Sequence, residues 1–94
     1  HLEKYPDLEQ RCRDEISEKY IQMLGTDPRP EMIDYVLTIG VKNNQTQAVV
    51  HDNFQVLLKD KTTELVYWLF DVLAPMVRLE VSNREENFFQ NITE

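Results

Sequence analysis

The chain of 94 residues has two glycines, one cysteine, two histidines and no apolar run approaching the roughly 18 residues of a membrane span. Each shortage removes a class. A single cysteine, Cys12, forms no internal disulfide, and its place in a helical pattern marks it as a small buried hydrophobe rather than a reactive thiol. An intracellular setting is the expectation. His51-Asp52 matches the adjacent pair that ligates metals in phosphohydrolases, but a closed site needs further ligands on other helices, and His1 is the only other histidine. A solvated pair and no metal are expected. There is no G-x-x-x-x-G-K-[ST] loop, no glycine-rich turn and no C-x-x-C. Carboxylates abound, but on a surface this acidic their proximity is no sign of acid–base work. Nothing points to catalysis or to a cofactor.

Basic clusters are missing as well. Ten Lys and Arg face 17 Asp and Glu, a net charge of −7, and the basic residues are scattered. Phosphate backbones are bound through clustered cations that displace counterions, so nucleic-acid binding by this domain alone is disfavoured. The acidity suits a partner with a basic or mixed surface.

What is present fits one soluble globular domain, with 41% hydrophobic and 29% charged residues around a single core. That domain spans 1–94, with its core at about 7–77 and a C-terminal tail or extra helix at 78–94. No signal peptide opens the chain, and a start at His1 reads as a piece of a longer protein. Two N-x-T sequons, at Asn44 and Asn91, would matter only in a secreted chain.

With so little glycine and no sustained Val/Ile/Thr alternation, the chain reads as all-α, a compact bundle of four or five helices. The first helix begins near Asp7, after Pro6. Leu8, Cys12, Ile16, Tyr20 and Leu24 form its apolar stripe, Glu9, Arg13, Glu15, Glu18 and Lys19 its surface, and Gly25 its stop. "TDPRP" is a turn, after which Pro30 suits the first position of a second helix. Met32, Ile33, Val36, Leu37 and Ile39 should make that helix the most buried. Gly40 either allows close packing or begins a turn. Asn44 with Gln47 resembles a capping box, ahead of a third helix with Val50, Phe54, Leu57 and Leu58 inward. Thr62 or Thr63 can cap the fourth. Pro75 kinks or ends that helix. Ser82-Asn83-Arg84-Glu85 is a second capping-box pattern, before a short helix with Phe88, Phe89 and Ile92 on one side.

"TELVYWLFDVLAP", residues 63 to 75, carries three aromatics within four positions. At about 100° per residue, Val66, Leu69, Phe70, Leu73 and Val77 define a core side, flanked by Leu65 and Val72. Glu64, Asp71 and Pro75 lie opposite. Trp68 lands beside Glu64 and Asp71, with Tyr67 at the margin. Either a neighbouring element covers Trp68, or the indole waits for a partner as an interface anchor. On the second reading, Trp68→Ala weakens partner binding and leaves the melting temperature nearly unchanged.

"EISEKYIQMLG" followed by "EMIDYVLTIGVKNNQTQAVVHDNFQVLLKDKTTELVYWLFDVL" resembles the PWI-like fold of nuclear RNA-processing factors. The likeness is greatest to the N-terminal domain of nuclear poly(A)-binding CCCH zinc-finger proteins. It covers about residues 14 to 74. The Pro-Trp-Ile signature would fall at Asp14-Glu15-Ile16, where only Ile16 agrees, so the divergent, protein-docking subgroup is the better match. The resemblance implies a non-catalytic interaction module of a nuclear mRNA-processing or mRNA-export factor. Its partner would be a nuclear RNA-processing or nuclear-pore/export protein, docked at an aromatic on the last core helix that corresponds to Trp68. RNA would be contacted mainly by other parts of the full-length protein. The expected partner-binding set is Trp68, Tyr67, Glu64 and Asp71. The rival readings are a nucleic-acid-binding PWI domain and an acidic helical adaptor unrelated to RNA.

Overall fold

A computed structural model describes the backbone of residues 2–93 and the side chains of residues 2 and 4–85. The protein is all-α, with no strand among the described residues. After a 3-10 turn at Leu2–Lys4, helix α1 (Pro6–Leu24) has proline at its first position and Asp7 and Glu9 in its first turn, where the helix dipole favours them. It ends at Gly25, φ 75°, whose N–H donates to the Ile21 carbonyl at 2.7 Å. Helix α2 (Pro30–Leu37) repeats the proline start and widens into a π turn, Thr38–Lys42. A Cβ on Gly40 would lie 2.9 Å from Leu69 Cδ1, so the glycine serves close packing. Contrary to expectation, α2 is not the most buried helix. Only Val36 and Leu37 are sealed, and Met32, Ile33 and Ile39 are half-buried, because α2 packs chiefly on α1.

The cap of α3 (Gln47–Leu58) is Thr46, whose Oγ1 accepts from the Val49 N–H at 3.4 Å. The box expected at Asn44 does not form, because Asn44 is in the left-handed region, φ 52°, and lies outside the helix. Val50, Phe54 and Leu58 point inward, and the Tyr35 ring meets Phe54 edge-on at 5.4 Å. Leu57, expected in this seam, is exposed, one residue off the buried arc. A 3-10 turn, Lys59–Lys61, leads into α4 (Thr62–Trp68). Neither threonine caps it. Thr62 is fully buried, and its hydroxyl donates to the Phe54 carbonyl at 3.5 Å.

Helical backbone runs on through Pro75. A second π turn, Leu69–Leu73, joins α4 to α5 (Ala74–Thr93) with right-handed backbone at both junctions. The Ala74 N–H reaches back five residues to Leu69. The widened turn admits a proline ring that would clash in a regular helix, and Pro75 has no N–H to leave unpaired. The run 62–93 is about 48 Å long, which accounts for a longest dimension of 52 Å against 25 and 18 Å across. The radius of gyration, 14.7 Å, exceeds the roughly 12 Å of a compact globule of this length, as one projecting helix requires.

Ser82 to Glu85 lie within α5 and start no new helix. Arg84 instead ties α5 to the beginning of α1. It donates to both Asp7 oxygens at 3.0 and 2.6 Å and to Glu80 at 3.1 Å, and it lies over the Tyr5 ring. The apolar side expected at Phe88, Phe89 and Ile92 falls outside the described side chains. The core joins Leu8, Cys12 and Ile16 of α1 to Val50, Phe54, Leu65, Val66, Leu69 and Leu73, and reaches back to Leu2. Phe70 and Val77, placed on the core side by the wheel, are half-buried, and Val72 is 54% exposed. A π turn takes more residues per revolution than an α-helix, so a wheel drawn at a uniform angle drifts beyond Leu69.

Candidate interaction site

Trp68 closes α4 just before the second π turn. The indole is half-buried, with one side against the core and the other lining a shallow depression with Glu15, Glu18, Lys19 and Gln22 of α1. The indole thus sits at a helix–helix boundary, partly covered and partly open, because the flank of α1 rises beside it. Val72, one turn further along, extends the apolar strip into solvent.

The other expected site residues surround this indole. Tyr67 is 62% exposed. Its phenol is pushed above its ordinary pKa, first by hydrogen bonding to Asp71 and then by that carboxylate's charge. Glu64, one turn before Trp68, accepts from Lys19 Nζ at 3.2 Å, which clamps α4 to α1 at the edge of the depression. Glu64, Tyr67, Trp68 and Asp71 thus form one continuous surface along a helix. The α1 contribution was not anticipated from the sequence. Glu15, Glu18, Lys19 and Gln22 recur at helical spacing on one flank, but only the packing of α1 against α4 brings that flank to the tryptophan.

The depression is about 270 Å³ and open. That is below the roughly 300–1,000 Å³ of small-molecule sites, and it suits one or two side chains of a macromolecular partner. Elsewhere, the His51 ring nitrogen Nε2 lies 3.2 Å from Thr63 Oγ1. No three His, Cys, Asp or Glu residues come together as a metal site among the described residues. Among the described residues no helix is long and apolar enough to cross a membrane. Cys12 is sealed in the core, and burial pushes its thiol up to about 11.

Comparison with family models, curated proteins and solved structures finds no match to this chain.

Proposed function

We propose that the chain is a PWI-like bundle of four or five helices that serves as a protein-docking module in a nuclear RNA-processing or mRNA-export factor. A partner segment buries an apolar side chain against Trp68, with Tyr67 beside it and Glu64 and Asp71 on the rim. Trp and Tyr give large contact areas for little lost side-chain entropy, and polar neighbours that exclude water raise the value of that contact. The observation that carries the reading is the half-buried indole open on one side to a depression between two helices. Nuclear-pore or export proteins are the partner class that the sequence resemblance suggests. RNA would be bound by other parts of a longer chain, since an acidic surface repels phosphates.

The test compares wild type with Tyr67→Ala and Trp68→Ala in capture of nuclear proteins from ribonuclease-treated extract. Tyr67→Ala should lose the captured protein with an unchanged melting temperature. Because Trp68 packs on the core, Trp68→Ala should also lose about 1–2 kcal/mol, a discounted share of the cost of truncating a buried aromatic. Unchanged capture by both variants would refute the docking site. Steeply salt-dependent RNA binding by the isolated domain would favour the nucleic-acid reading instead.

A further inference from the structure

We infer that the occupant of the Trp68 depression is a basic peptide segment, one that seats an apolar side chain on the indole and sets Lys or Arg against Glu15, Glu18 and Asp71. This deepens the docking reading and rests on it.

The support is an apolar strip open to solvent among carboxylates that have no cation. Some carboxylates have cations: Asp7 has Arg84, Glu9 has Lys42 and Arg13, Asp34 has Arg13, and Glu80 has Arg84, whereas Asp14, Asp27, Glu31, Asp52, Asp60 and Glu85 form no ion pair among the described residues. Around Trp68 a single ion pair, Lys19 with Glu64, stands among unpaired carboxylates in the described residues. Glu15 and Glu18 line the depression and form no ion pair among the described residues, and Asp71 engages the neutral Tyr67 phenol. Among the described residues the cation lining the depression is Lys19, which is 15% exposed at its side chain and committed to Glu64. Three carboxylates are thus left without a counter-charge beside an apolar strip made by Trp68 and Val72. With a net charge of −7, the field of the whole chain adds to this local one and steers cations inward.

Complementarity then sets the occupant's chemistry: an apolar anchor for the indole, and cations on either side for the acidic rim. An acidic segment would meet uncompensated repulsion, and so would a phosphate backbone. Lys19 opposes the incoming cations while holding Glu64. Removing its charge should therefore strengthen binding, the opposite of what loss of a contact residue usually does.

The experiment is selection from a random peptide display library with the whole chain, followed by titration of the winning peptides, resynthesised without tryptophan. Trp68 is the single tryptophan, so its emission reports occupancy of the depression. The expected winners carry Lys or Arg around one apolar residue and shift that emission saturably. They should lose affinity with added salt, bind Glu15→Gln/Glu18→Gln about fivefold to tenfold more weakly, and bind Lys19→Gln more tightly. Neutral or acidic winners that still shift Trp68 would overturn the basic occupant and leave the docking site standing. If nothing is selected, or if winners leave the emission unchanged and bind Trp68→Ala equally well, the docking reading fails and this inference with it.

Discussion

Gly25 offers a clean measurement of what sets the turn between the first two helices. Its φ of 75° is a conformation in which an L-residue crowds its own carbonyl, and nothing lies within 4 Å of where a Cβ would stand. The cost of Gly25→Ala therefore comes from the backbone alone. A left-handed residue costs roughly 1–2 kcal/mol, and replacing glycine returns about 0.4–1 by restricting the unfolded chain. The net destabilisation is about 1 kcal/mol, a fall in melting temperature of roughly 4–8 °C for a domain of this size. Urea unfolding followed by circular dichroism would measure it, alongside Gly25→Asn and a semisynthetic D-alanine. Asparagine tolerates the left-handed region and should cost less than alanine. The D-residue prefers positive φ and should be at least neutral. Equal destabilisation by L- and D-alanine would refute the backbone account and point to a steric contact instead.

Two further expectations come from titratable groups. Burial raises the Cys12 thiol to about 11, so a thiol-specific dye at pH 8 should label the protein only as urea unfolds it; prompt labelling of the native state would mean the α1 core is open. Asp7 and Glu9 are both held below their ordinary values of 3.8 and 4.5, chiefly by hydrogen bonds from Arg84 and Lys42. A depressed carboxylate contributes stability above its unfolded pKa and loses it as pH falls through the folded one. The urea midpoint should therefore drop between about pH 5 and pH 3, and Asp7→Asn/Glu9→Gln should flatten that dependence. An unchanged slope would show that these pairs do not hold the helices.

The helix start at Pro30 was legible because proline fixes φ wherever it stands, the first start was placed one residue late, after Pro6, and Gly25 was legible because one backbone conformation favours glycine. The inward residues Leu8, Cys12, Ile16, Val50 and Phe54 follow from spacing alone. Pro75 left two outcomes open, because whether a proline breaks a helix or sits behind a π turn depends on packing, here of Leu69 against Gly40, 29 positions apart in the chain. The capping residues were misplaced for a related reason. Asn44 and Thr62 are good caps in isolation, but one was taken by a left-handed turn and the other by the core. At the site, the wheel brought Tyr67, Trp68, Glu64 and Asp71 together because they share a helix. It could not supply Glu15 and Glu18, whose nearness to the indole is a fact of tertiary contact.

The π turn at Leu69–Leu73 works as a spacer ring in a crankshaft. Deleting one residue there would leave both halves of the rod helical but swing everything beyond Ala74 by about a quarter of a revolution. Arg84 would then face away from Asp7 and Tyr5, and the projecting arm would present another side to its surroundings. One residue's worth of slack thus sets the bearing of the last twenty.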